Sequence, residues 1–398
     1  MKSGLLIPLL IFLAFPQSAT AAGTSEKKPA PKWAEKMREL ERTFQTLLVD
    51  LSSDERFNDR ANRKRIEDQA ERISKLAHDV KVAQKPDTDP TLGIIAGQFA
   101  SETKHAYRAL MTGSREYARE VLRTIPGYCI SCHTRNGSGP QFSVLSKAEA
   151  PAGLKGMALA DFYTSTRQFD RALEEYQRQI QEGKAAESRP FEWEKAIRTA
   201  LSISIRVKKD PEQSLKIVEQ VLKEPRAPFF TVQKAEVWKK NILDWKKEGV
   251  QTPVTAEGLY ATAVRLTAEA KAQQRFPADR SADVLYLRAS SVIHELLGQP
   301  SDPTRGAEAL YLAGFNYEVL RDLNLGEIHD FYYLACILKS PHSEIAKVCF
   351  GRYQESVQFA FTGSSGTLIP GEVMEKLKQL EKLANPEGQS ENRKKVKP

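Results

Sequence analysis

The sequence predicts an all-α protein, with an antiparallel four-helix bundle followed by a solenoid-like array of further helices. Three observations point there. Apolar residues return at three- and four-residue steps through most of the 398 residues, which is the period of a helix with one buried stripe. Strand character, an alternation of apolar and polar residues, is scarce. The links between successive stripes are short, as in an up-and-down bundle.

Composition bounds the rest. With 41% hydrophobic and 28% charged residues the chain is neither wholly disordered nor a polytopic membrane protein. Its length accommodates two or three domains of ~100–200 residues each. The formal charge is +8, yet residues 22–140 mix 21 Lys and Arg with 17 Asp and Glu. No phosphate-tracking stripe and no nucleic-acid motif is present, so nucleic acid is not an expected partner.

Residues 1–21 read as an export signal. Lys2 supplies the positive start, Leu5 to Phe15 is apolar, and Ala19-Thr20-Ala21 fits the small-x-small cleavage rule, with Ala22 as the alternative site. The run falls short of the ~20 apolar residues of a membrane-spanning helix and contains Pro8. No Cys follows it to carry a lipid. The mature protein is expected to be exported, soluble and periplasmic, with no membrane span.

The bundle is expected over 33–140. Trp33, Met37, Leu40, Phe44, Leu47 and Leu51 form the first stripe, and Ile66, Ala70, Ile73, Ala77 and Val80 the second. Asp87-Thr88-Asp89-Pro90 breaks the chain before a third helix marked by Ile95, Phe99, Ala106 and Leu110. After the tight Thr112-Gly113-Ser114 link, Tyr117, Val121 and Ile125 lead along a fourth.

That fourth helix runs into Cys129-Ile130-Ser131-Cys132-His133, the attachment signature of a c-type haem. Two thiols three residues apart share one helical face and reach the two vinyl groups at a porphyrin edge. The next imidazole, His133, turns under the ring to bind iron. A dithiol redox pair wants a strand-helix setting that is absent here. A zinc site wants a second ligand pair nearby, and the next cysteines are Cys336 and Cys349. One covalent haem c is therefore the expected cofactor.

On these residues the region resembles the class II cytochromes, the cytochrome c′ and c556 group, with cytochrome b562 as a relative. In that family the haem motif lies near the C-terminal end of the fourth helix. The resemblance covers about a quarter of the chain and departs from the family at Pro126-Gly127, which interrupts the helix before the motif. In an up-and-down bundle the start of helix one and the end of helix four share one end, so Met37 can face His133. The resemblance implies the same ligand, since its low-spin members use a methionine near the start of helix one. A vacant sixth position and His78 are the alternatives. His105 lies too far along helix three. Arg135 and Lys36 are candidate partners of the haem propionates, or ordinary solvated charges.

Residues 141–156 read as a linker and 157–384 as a second helical domain. There Leu159, Ala160, Tyr163, Phe169, Ala172 and Tyr176 occupy the offsets of a tetratricopeptide repeat. Weaker copies use Ser202, Ile205, Ser214 and Val218, then Leu310, Gly314, Tyr317 and Gly326, with a division near Gly249–Pro253. Cys336 and Cys349 flank a helix-to-helix turn and are expected to form a disulfide, with two buried thiols as the alternative. Thr362–Thr367 reads as a flexible loop and 385–398 as a disordered basic tail.

Two functions remain open. One is single-electron transfer, with the helical array docking a redox or scaffold partner. The other is a haem-based sensor of NO, CO or redox state with an open or weakly held sixth position. No nucleophile motif or hydrolytic metal spacing appears, so an enzyme is not expected.

Overall fold

The computed structural model describes residues 32–385 except 52–53, 83–89, 126, 130–152, 166, 250–254, 300, 322–327 and 365. The export signal, Cys132, His133, Arg135, Gly326 and the tail beyond Asn385 lie outside the described residues, as does most of the linker. The described residues form seventeen α-helices, one π-helical turn and one two-stranded hairpin. The protein is all-α.

Helices α1 (Lys32–Leu51) and α3 (Arg60–Val82) carry the first two stripes. Leu40, Phe44, Leu47 and Leu51 on one and Ile66, Ala70, Ile73 and Ala77 on the other are all buried. The two helices run antiparallel. Lys36–Asp79 at 2.7 Å ties one end, and Arg65–Asp50 at 2.8 Å ties the other. α4 (Pro90–Met111) starts on a proline, whose missing N–H costs nothing at a first helical position. It ends at Gly113, where φ is +89°, and Ser114 N–H donates back to the Ala109 carbonyl at 2.9 Å. Glycine takes that left-handed conformation without a Cβ clash. α5 (Arg115–Arg123) follows. α1 packs on α3, α3 on α4, α4 on α5, and α5 returns against α1, so the four close a circuit. A single-turn helix, α2 (Asp54–Asn58), sits between α1 and α3 and buries Phe57 completely.

α5 departs from the sequence reading in phase. Tyr117 is 58% exposed and Val121 half-buried, while Ala118 and Leu122 face inward; Ile125, beyond the helix, is buried as expected. The rotation follows Arg119, which is itself buried and donates to the Leu51 carbonyl at 3.0 Å. The helix also stops at Arg123. Helical geometry is interrupted at Thr124 and returns at Ile125 and at 127–129, with Gly127 N–H donating to the Thr124 carbonyl at 2.9 Å.

Beyond the linker come α6 (Gly156–Ser165), α7 (Phe169–Gln181), α8 (Gly183–Ser188) and α9 (Pro190–Ser202), which continues into a π-helical turn, Ile203–Val207. They are followed by α10 (Pro211–Lys223), α11 (Phe229–Glu248), α12 (Ala256–Gln273), α13 (Asp283–Leu297) and α14 (Pro303–Val319). The last are α15 (Ile328–Lys339), α16 (Glu344–Ala360) and α17 (Gly371–Ala384). Packing runs mainly between neighbours in the chain and between next-but-one helices. Small residues sit where helices touch. Ala160 and Ala172 are buried between α6 and α7, and the Tyr176 hydroxyl donates to Asp161 Oδ1 at 2.6 Å. Burial raises the pKa of both groups. Ser202, Ile205, Ser214 and Val218 are buried as well. A Cβ on Gly314 would meet Tyr333 Cε1 at 2.6 Å, so a glycine there lets α14 and α15 approach.

Cys336 on α15 and Cys349 on α16 form a disulfide with Cα atoms 6.3 Å apart. Closing so short a loop contributes about 3 kcal/mol in the chain-entropy account. α15 also packs on α4, which joins the array to the four-helix circuit. Where the sequence reading expects a loop at Thr362–Thr367, the chain forms a small antiparallel hairpin with Thr362 paired to Thr367. The two threonine hydroxyls lie 2.7 Å apart, a local bond that side-chain periodicity does not announce. Among the described residues no helix is long and apolar enough to cross a membrane.

Candidate functional site

The Lys36–Asp79 pair brings the start of α1 to the end of α3. At the same end, Tyr128 stacks on Phe99 of α4, with ring centroids 5.4 Å apart. The segment that leads into the Cys-x-x-Cys-His motif is thereby held against α4. Tyr128 is 6% exposed. Burial, and the nearby Glu102 carboxylate, push its phenol well above the ordinary range, while a hydrogen bond with Gln98 opposes them. Gln98 in turn donates to Glu102 Oε1 at 2.9 Å.

Cys129 is half-buried at the end of the helical turn 127–129. It packs against the core, as do the half-buried Met37 and Val80. Cys132 and His133 continue directly from it and lie outside the described residues. His78 is exposed next to Asp79. His105 is exposed too, six residues past Phe99 and hence ~9 Å further along α4. Lys36 is engaged by Asp79. Among the described residues no three His, Cys, Asp or Glu side chains converge as a metal site.

Cys129 thus follows a buried tyrosine that meets Phe99, while Met37 on α1 and Val80 on α3 are half-buried against the core.

Sequence reasoning missed two features. The Tyr128–Phe99 seat was visible only as one aromatic beside the motif and another in a stripe. Glu41, one turn beyond Met37, is the other. Its Oε1 accepts from Gln45 at 3.0 Å, and its Oε2 is buried with no partner among the described residues. Burial raises the carboxyl to about 7, against the opposing Gln45 hydrogen bond. The available signal was its i+4 spacing from Met37 on the flank of the stripe.

The far end of the circuit is built otherwise. Asp50, at 0% exposure, accepts from both Arg65 and Arg56. Arg115 donates to the Phe57 carbonyl at 3.0 Å, and the Arg115 and Arg119 guanidinium groups lie 4.9 Å and 5.3 Å from the Phe57 ring. No protein-family model matches this chain, and no curated protein or solved structure matches it either.

Proposed function

We propose that the chain is an exported monohaem c-type cytochrome that passes single electrons. In this reading Cys129 and Cys132 would hold the haem covalently, and His133 and Met37 would bind its iron. The helical array docks a protein partner, and the chain is a carrier rather than an enzyme. The observation that carries the reading is the Cys129–His133 motif, emerging from a buried aromatic seat at the end of the circuit where α1 begins.

When bound, the haem supplies reversible one-electron iron chemistry, and sulfur–imidazole ligation raises its potential. The chain's own groups do the rest. Two thioether links keep the group in place irrespective of ligand exchange. Tyr128, held by Phe99 and Gln98, fixes the segment from which Cys129 projects. Val80 and Met37, half-buried against the core, would offer the group apolar contact and so limit solvent reorganisation when the charge changes.

Acid-acetone extraction of the matured protein should leave the colour on the chain, and replacing both Cys129 and Cys132 by Ala should remove it. The ferric protein should be low-spin and show the weak long-wavelength absorption of sulfur-ligated iron. Met37→Ala should abolish that band and admit CO. Extractable haem would overturn the reading altogether. A wild-type protein that is high-spin and binds CO at once would hand the function to gas sensing, with Met37 reduced to packing.

A further inference from the structure

A charged side chain taken out of water needs an opposite charge beside it, because an unpaired buried ion is costly. Four of the described arginines are buried: Arg119, Arg198, Arg206 and Arg288. Three of them meet the condition. Arg119 pairs with Asp54, Arg198 with Asp283 at 2.5 Å, and Arg288 with Glu248 at 2.7 Å. Arg206, 5% exposed, meets no carboxylate among the described residues.

Its surroundings are donors. Arg206 stands in the π-helical turn Ile203–Val207, which packs on α13. Its Nη2 donates to the Tyr317 hydroxyl at 2.7 Å, and its Nε is buried with no partner among the described residues. The same hydroxyl lies 2.8 Å from His294 Nε2. A phenol and an imidazole bring no negative charge. The acids nearest in the chain are engaged elsewhere. Asp210 caps α10 by accepting from Gln213 N–H at 3.0 Å, and Glu295, next to His294, pairs with Lys209. One helical turn before His294, on the same side of α13, Ser290 is 1% exposed and its Oγ also lacks a partner among the described residues. The array thus buries a cation and a hydroxyl with no acceptor for either.

We propose that Arg206 binds a small carboxylate, of the size of formate, within the helical array, and that Ser290 adds a hydrogen bond to it. A guanidinium suits a planar carboxylate because its N–H donors are spaced to meet two oxygens. Binding supplies the missing negative charge, so the stability of the array depends on the ligand.

The test is thermal unfolding of the full chain in a zwitterionic buffer at constant ionic strength, with sodium formate or inorganic phosphate exchanged for chloride. Saturating formate should raise the wild-type melting temperature by about 5 °C, and calorimetric titration should count one site. Arg206→Met should lose that response and, without formate, melt no lower than wild type, because the unpaired charge is gone. Arg206→Lys keeps the charge without the fork and should weaken formate binding at least about tenfold. Ser290→Ala should weaken it about threefold, the loss of one hydrogen bond. A wild type indifferent to formate, a response to phosphate alone or to all salts alike, or an equal response from Arg206→Met overturns the proposal. So does an Arg206→Met protein that, without formate, melts about 5 °C or more below wild type, because the counter-charge would then lie within the chain. None of these readouts depends on haem.

Discussion

The two ends of the four-helix circuit are built from different materials. At one end Asp50 gathers Arg56 and Arg65, while Arg115 and Arg119 close over Phe57 and bond to backbone carbonyls. At the other end a half-exposed ion pair, one aromatic contact and three half-buried side chains, Met37, Val80 and Cys129, make up the rim. The first end pins helix to helix by directional bonds to buried groups. The second presents half-buried apolar side chains. On the haem reading, the locked end would keep the register of the helices while the other end meets the group.

Removing the lock should have the largest effect on stability. Phe57→Ala deletes a fully buried ring and leaves Arg115 and Arg119 without the face they cover. It should cost about 3–5 kcal/mol in denaturant unfolding. Loss below 1 kcal/mol would mean that the far end does not hold the circuit together.

Glu41 lies between the two ends and gives a pH signature. Its carboxyl is raised from 4.5 to about 7 by burial, so the folded state binds the proton more tightly than the unfolded chain does. The stability this contributes is complete below pH 4.5 and is lost as pH rises through about 7. Glu41→Gln should therefore unfold at the same denaturant concentration as wild type in acid. Above neutrality it should be more stable, on the order of 1–2 kcal/mol after allowing for solvent screening. Parallel pH profiles for the two proteins would refute the assignment.

The smallest effect belongs to the motif end. Tyr128→Phe keeps the ring on Phe99 and removes the bond with Gln98, at about 0.5–1.5 kcal/mol. If the haem reading holds, the same variant should move the midpoint potential while leaving attachment intact. An unchanged potential would reduce Tyr128 to packing.

What the sequence disclosed follows from what repeats. Leu40, Phe44, Leu47 and Leu51 are buried because a 3.6-residue helix puts them on one face, and that arithmetic needs no tertiary knowledge. Gly113 announced a helix end for a similar local reason. Phe57 was hidden because one helical turn has no period to detect. The phase of α5 was misjudged because a buried Arg119 reads as a surface charge until its carbonyl partner, Leu51, almost seventy residues earlier, is known. The π-helical turn Ile203–Val207 is likewise a matter of backbone bonding, with ordinary side chains. At the candidate site the motif was fully legible. Its seat on Phe99 was not, because two aromatics 29 residues apart meet only through the circuit.

The cysteine pairs differ in one respect that bears on how the protein is made. Cys336 and Cys349 are both at 0% exposure, whereas Cys129 is half-buried. Exchange requires an incoming thiolate to reach a disulfide sulfur, so a reductant in the surrounding medium is sterically barred from the α15–α16 staple once that region has folded. Cys129, half-buried, stays within reach of such a reagent, so on the haem reading a reduced thiol could be presented there without undoing the staple.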